Sequence, residues 1–467
     1  MAMLFEHDTF ISPFTWRYGS LEMRQIWSEI HKRQLMRKVW FALATAQHNA
    51  GLVSADQLAD LKRQVDQVDV DRAQTIERET QHDVMAELLT FAEACPVGGG
   101  IIHLGATSAD ITDNVDVLRI REAAQLVEKR LRLLLNSFAD QILATAHIPV
   151  MAYTHIQPAE PTTLGYRLSS YAQDLLADIK EVHSLITDIR GKGFKGAVGT
   201  QATFQELLAG KDLSPADIEA QAMAVLDLPY FLISTQTYTR RQDLRVVNVL
   251  ASIASTLHKF GLDFRLMQSP AIGEWSEPFR QRQVGSSAMP FKRNPILTEN
   301  ICSMARYIAS LPAIAWGNAS QTVLERTLDD SANRRLFLPE AFLALDEMLM
   351  KATKVMEGME LDEGSMARNL ATYGPFSASE RVLSALVVAG ADRQEAHEWI
   401  RQASQLARDA IREGHDNPME NLLATDERIK AFLTPAEIRE LMDISTYTGT
   451  AGERAATFAQ TILQEIG

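Results

Sequence analysis

Cysteine is nearly absent. Cys95 and Cys302 are the only two in 467 residues, they stand far apart, and neither belongs to a CxxC or a Cys/His cluster. That excludes a disulfide framework, disfavours a zinc site and fits a reducing compartment. Basic charge is also short, with 46 Lys plus Arg against 60 Asp plus Glu and a net charge of −14. Sequence-independent binding to nucleic acid or to an anionic membrane needs a net basic surface that displaces counterions, so neither is expected. A locally basic pocket stays open. Long hydrophobic runs are missing too. The longest uncharged stretch, Tyr307 to Leu324, contains Pro312, Gly317, Asn318 and Gln321, which suits a buried helix with an irregular end better than a membrane span. The opening MAMLFEHDTF carries Glu6, His7 and Asp8 where a secretory leader needs a basic start and an apolar run, so the expected location is the cytoplasm.

Glycine and proline are scarce in long stretches, and their absence reads as helix. From Ala106 to Ile148 there is neither, and Val117, Val127, Leu131, Leu134, Leu135, Phe138 and Ile142 recur near a helical period. Such a helix runs to about 60 Å at 1.5 Å per residue. Similar stretches follow at about 162–190, 236–269, 296–316, 319–338 and 340–371. Strand-like alternation is scarce. The expected fold is all-α: an elongated central bundle of long helices over 108–361, an N-terminal, mostly helical domain over 1–107, and a C-terminal domain of short helices over 362–467, broken by Gly374-Pro375, Gly390, Gly414, Pro418 and Pro435. Helices this long expose too much apolar stripe to stand alone, so an oligomer is the default. The patch GKGFKGAVGT at 191–200 has four glycines but neither GxGxxG after a strand nor GxxxxGK[ST], which argues against a nucleotide-phosphate loop of either kind.

Polar and basic islands lie in turns between the apolar helices, where bundle proteins carry function. In GSSAMPFKRNP at 285–295, small residues and prolines surround Ser286, Lys292, Arg293 and Asn294. A hydroxyl brought to a fixed ammonium suits abstraction of a proton beside a carboxylate, because the cation stabilises the developing negative charge. By residue type alone, a solvated basic turn joining two helices explains it better. Thr107 and Ser108 open a long helix and serve either as caps or as an anion site. His155, in THIQPAEPTT, lies in a turn leading into the next helix and is either a general acid or a histidine held by a carbonyl. His82 and Asp83, in QHDVMA, are weaker, and a capping role for Asp83 is as plausible. ERTLDDSANRR at 325–335 sets three acids against three arginines, either a self-paired helix face or an anion grip.

GSSAMPFKRNP resembles the signature loop of the fumarase/aspartase superfamily, homotetramers of long helices that add or remove fumarate. Within it, HDVMA, HLGATSADITDN, THIQPAEPTT, GTQATF, QTYTR and ERTLDDSANRR resemble the adenylosuccinate lyase family, from about Ser12-Pro13 to near Gly449. The resemblance implies β-elimination of fumarate from adenylosuccinate and from the succinylaminoimidazole carboxamide ribotide of purine biosynthesis, with no metal and no organic cofactor. It implies that Ser286 is the general base and His155 the general acid, with His82 and Lys292 completing the catalytic set. It assigns substrate contacts to Arg17, Tyr18, Gln81, Asp83, Thr107, Ser108, Gln201, Asn294, Arg326, Ser331 and Arg335. Gln81 stands where the family often has arginine, and Asn300 where some members have another. The resemblance also implies sites assembled from several subunits of a homotetramer. Rival readings are another fumarate-releasing lyase, a carboxymuconate-type cycloisomerase, or a silent helical scaffold.

Overall fold

The computed structural model describes residues 8–279 and 285–467. The chain is all-α, 69% helical with few strands. It divides into two compact units: Met1–Leu131, Asp178–Ser255 and Ser303–Leu349 form the first, and Arg132–Ala177, Thr256–Cys302 and Met350–Gly467 form the second.

In the first unit, short helices start where a polar side chain satisfies the open amides of the first turn. After α1 (Leu21–Ile26), Ser28 accepts from His31 N at the start of α2 (Glu29–Asn49), and Ser54 closes a capping box on α3 (Ala55–Gln64). Asp69 caps α4 (Val70–Thr80), and His82 caps α5 (Asp83–Ala94). Asp83, for which capping was one of two readings, is the first helical residue of α5, and His82 is the cap. Trp40 packs near Phe91 with ring centroids 6.4 Å apart. Beside them Arg33 and Arg37 both donate to the buried Glu87, at 3.0 and 2.6 Å. The long helix α6 (Ser108–Thr145) follows, with the apolar positions named above all fully buried. Its N-terminal part lies in this unit, as do the C-terminal end of α7 (Leu164–Asp188), α8 (Ala202–Leu207), α9 (Pro215–Val225) and most of α10 (Arg241–Met267).

The second unit holds what the helical reading missed. Residues 149–163 form a hairpin, β1 (Pro149–Thr154) with β2 (Gln157–Thr163), rather than a turn running into a helix. The prolines of QPAEPTT mimic a turn, but in a two-stranded ribbon both strands are edges, so a missing N–H is tolerated. The unit's core stacks aromatic rings: Phe138 and Tyr171 meet Phe260 edge-on, and Phe264 stacks on Trp275 at 5.3 Å. The short β3 (Trp275–Ser276) pairs with β4 (Glu360–Leu361). Two long helices, α11 (Ile296–Gln321) and α12 (Asp329–Gly358), begin or end here. The stretch expected as helix at 319–338 is broken by 322–328, where Leu324 takes φ 49°.

The C-terminal part also differs from expectation. Helix α13 (Glu363–Val388) runs unbroken through Gly374-Pro375. Burial of Gly374, Ala378, Val382 and Leu386 outweighs the lost amide. Gly390 at φ 98° ends it, and Asp392 caps α14 (Arg393–Arg412). Ala396, Ile400, Ala403 and Ala407 then face the cluster built with α15 (Met419–Thr425), α16 (Glu427–Lys430) and α17 (Pro435–Leu441), and α18 (Ala451–Ile466) follows. No helix of the described residues is long and apolar enough to cross a membrane.

Candidate active site

A cleft of about 660 Å³ opens in the first unit. Five separated stretches line it: α2 with Trp27 before it, the α4–α5 junction, the start of α6, the irregular residues before α10, and the 326–339 segment. Eight residues expected at the site meet here: Gln81, His82, Asp83, Thr107, Ser108, Arg326, Ser331 and Arg335. Its ionic lining is Lys32, Arg119, Arg240, Arg326, Arg334 and Arg335 against Glu29, Glu77, Asp83, Asp113 and Asp116. The chain's negative excess has vanished in the cleft.

The floor is a buried ion network centred on α6, α10 and α12. Arg240 forks onto Asp113 with two bonds of 3.1 Å and donates to Asp330 at 2.6 Å. Arg334 donates to Asp243 at 2.7 Å and to the Tyr238 hydroxyl at 2.8 Å, and it pairs with Asp116 at 3.1 Å. Burial alone would raise the Asp330 carboxyl, but Arg240, Arg326 and Arg334 together hold it below the usual carboxylate range. Arg326, in the break before α12, closes on Asp330 at 2.7 Å, four residues on. Thus ERTLDDSANRR is partly self-paired, and Asp330 and Arg334, not among the expected contacts, brace the cleft.

At the α4–α5 junction Gln81 takes φ 55° and donates its amide to Arg78 O at 2.8 Å. His82 Nδ1 accepts from Met85 N at 3.3 Å, so the neutral imidazole carries its proton on Nε2. Asp83 accepts from Arg335 at 2.8 Å. Burial works to raise this carboxyl, and the charges of Arg335 and Lys32 bring it below its ordinary value. The Thr107 amide donates to Asp110 at 2.9 Å, and Asp110 also accepts from the Lys195 and Gly196 amides. Beside this, His103 accepts from the Trp40 indole at 3.0 Å, and burial holds its imidazole below the usual range, with His82 adding to the effect.

The other expected residues lie elsewhere. Gln201 turns from the cleft, donating to Phe194 O at 3.0 Å and Glu219 at 3.2 Å. It braces the glycine-rich 191–200 loop, whose Lys192 and Lys195 are buried on Asp110 and Glu219. Arg17 is exposed over the Trp16 and Tyr18 rings. Their segment is tied to α12 through Gly19 N to Glu347 at 2.9 Å and Ser20 N to Asp346 at 2.6 Å.

In the second unit, His155 stands exposed at the tip of the β1–β2 hairpin, with φ 53° followed by Ile156 at 59°. In the 285–295 loop, the Ser286 Oγ accepts from two backbone amides, Met289 N at 3.1 Å and Ala288 N at 3.3 Å. Asn294 donates to Gly285 O at 2.9 Å, closing the loop, and Lys292 is exposed. Buried Glu277 anchors the loop's far end by accepting from Leu297 N and Thr298 N at 3.0 and 2.7 Å, where α11 begins. Asn300 lies in the first turns of α11. Among the described residues no group of three His, Cys, Asp or Glu side chains is arranged to hold a metal ion.

A helical chain with a hydroxyl on a loop and an arginine-rich cleft matches the lyase family model over residues 16–309, and the chain is a lyase. A second model, the adenylosuccinate lyase C-terminus, matches 375–458. Adenylosuccinate lyase of Saccharomyces cerevisiae is 36% identical over 461 residues, covering 97% of this chain and 95% of the yeast protein. That of Archaeoglobus fulgidus is 35% identical, covering 95% and 97%. The 3-carboxy-cis,cis-muconate lactonizing enzyme of Pseudomonas putida superimposes with a TM-score of 0.84 at 26% identity, over 96% of this chain and 99% of that one. The chain belongs to the adenylosuccinate lyase family.

Proposed function

We propose that the chain eliminates fumarate from adenylosuccinate, leaving AMP, and from the succinylaminoimidazole carboxamide ribotide, leaving the aminoimidazole carboxamide ribotide. Ser286 takes the proton from the carbon beside a carboxylate. The electron pair of that C–H bond forms the double bond of fumarate as the C–N bond breaks. His155 then protonates the departing nitrogen. Lys292 and Asn294 receive the charge that builds on the carboxylate. His82, with Nε2–H as donor, joins Gln81, Asp83, Arg326, Ser331 and Arg335 on the nucleotide side, with Arg17 and Tyr18. Thr107, Ser108 and Gln201 serve the succinyl side. No cofactor enters, and the reaction belongs to the cytoplasm.

The observation that carries this reading is the cleft itself, which concentrates six cations in a chain of net charge −14. A substrate bearing a phosphate and two carboxylates needs that local reversal of sign. The cleft's lining includes neither Ser286 nor His155. A homotetramer, with 108–361 as the oligomerisation bundle, supplies these groups from more than one subunit. Apolar side chains exposed on the long helices, Leu262, Leu266, Ile314 and Trp316 among them, favour such packing.

The deciding assay follows adenylosuccinate by ultraviolet absorbance, with argininosuccinate and a carboxymuconate in parallel. Release of AMP and fumarate is expected. Turnover confined to either of the other substrates overturns the reading.

A further inference from the structure

Six cations line the cleft, and five have spent donors on the protein itself. Arg240 and Arg334 are locked into the buried carboxylates, and Arg326 into Asp330. Arg119 donates to Ile26 O at 3.1 Å, and Arg335 holds Asp83. Lys32 differs. Among the described residues its ammonium has one ion pair, with Glu29 at a loose 3.8 Å, beyond hydrogen-bond range. Its side chain is nonetheless mostly covered, 18% exposed, so helix α2 holds it in place.

The position of Lys32 is as telling as its open donors. Lys32 and Arg335 are the two cations that pull the Asp83 carboxyl below its ordinary value. Over the whole lining six cations stand against five carboxylates, Glu29 and Glu77 included, which leaves an excess of one positive charge, and at the α4–α5 junction Gln81 brings none. A phosphate dianion is the group that such a pocket draws in. A carboxylate carries half the charge and finds neutral donors at the Thr107–Ser108 end.

We propose that Lys32 binds the substrate's phosphate together with Arg335, as a specificity-determining residue of this site. The assignment rests on the nucleotide reading above. Lys32 works as a point charge with three donors, matching phosphate without demanding the planar geometry of an arginine fork. Because the contact is made equally in ground and transition states, its loss is felt in binding far more than in turnover.

The test compares wild type with Lys32→Met and Lys32→Arg, using adenylosuccinate as substrate and AMP, adenosine and fumarate as competing ligands. In Lys32→Met the KM for adenylosuccinate and the inhibition constant of AMP should rise roughly 10- to 100-fold, while kcat falls far less. Inhibition by adenosine and by fumarate should hold steady, and Lys32→Arg should recover most of the loss. Adding Gln81→Arg to Lys32→Met returns a cation to the same end of the cleft and should restore AMP affinity. Unchanged AMP affinity, or equal weakening of adenosine, overturns the assignment. A selective loss of fumarate binding overturns it in favour of a carboxylate contact. Wild-type protein that leaves adenylosuccinate untouched instead overturns the functional reading. Calorimetric titration of AMP against adenosine then still decides Lys32.

Discussion

A serine hydroxyl near neutral pH holds its proton far more tightly than the base of an elimination should. Two amides directed at the Ser286 Oγ, 3.1 and 3.3 Å away, act on that difficulty, since N–H donors favour the alkoxide over the neutral hydroxyl. Ser286→Ala should lower kcat roughly 10²- to 10⁴-fold, the range for loss of a general base, with AMP inhibition retained. Wild-type-like turnover would remove Ser286 from the role. Asp330 is a second case at this scale. Its folded carboxyl titrates below the unfolded value of about 3.9, because three arginines outweigh its burial. The stability it contributes is therefore present above that pH and is lost as pH falls through the folded value. Denaturant unfolding should show Asp330→Asn less stable than wild type at pH 7, with the gap closing below about pH 4. A constant gap from pH 7 to pH 2 would refute this. Ser286 stood out in sequence as a candidate through its loop string, and its role is the proposal made above. The two amides that donate to its Oγ were not legible, because backbone direction leaves no trace in residue type.

The element that sequence reasoning most misjudged is the β1–β2 hairpin. His155 was expected in a turn ahead of a helix, since QPAEPTT carries two turn-forming prolines and no alternation to mark a strand. The structure places it in a two-residue turn with positive φ at both positions. Asn-Gly is the usual pair there, and a β-branched residue pays a steric penalty. Ile156 is 68% exposed, so it recovers little through packing. Thermal unfolding should find Ile156→Gly more stable by about 1 kcal/mol, strain relief exceeding the entropy cost of glycine. A lower melting temperature would mean that the turn is held by contacts and not against strain. Helix α13 errs in the opposite direction. Gly374-Pro375 reads as a stop, yet buried neighbours on both sides carry the helix through, a tertiary effect that local preference does not contain.

For the whole molecule, the residues expected in one place are shared out: eight line the first unit's cleft, and Ser286, His155, Lys292 and Asn294 belong to the second unit. If subunits exchange parts of a site, two inactive variants rescue each other. Ser286→Ala and His82→Asn, each alone nearly inert, should on unfolding and refolding together regain a substantial fraction of wild-type activity. A mixture no better than its components would confine each site to one chain. Long helices were legible because their period survives over many turns, and so was the lyase assignment, carried by short strings at helix ends. The two units were not legible. The chain passes between them five times, within α6, α7, α10, α11 and α12, where no change of composition marks a boundary.

Those five passages have a consequence for how the protein is made. A ribosome emitting this chain cannot finish one unit before starting the other: the first needs residues up to Leu349, while segments of the second appear from Arg132 onward. Domain-by-domain folding during synthesis, the usual route for large chains, is closed to it. Both units must wait, with their long apolar stripes exposed, until most of the sequence has emerged.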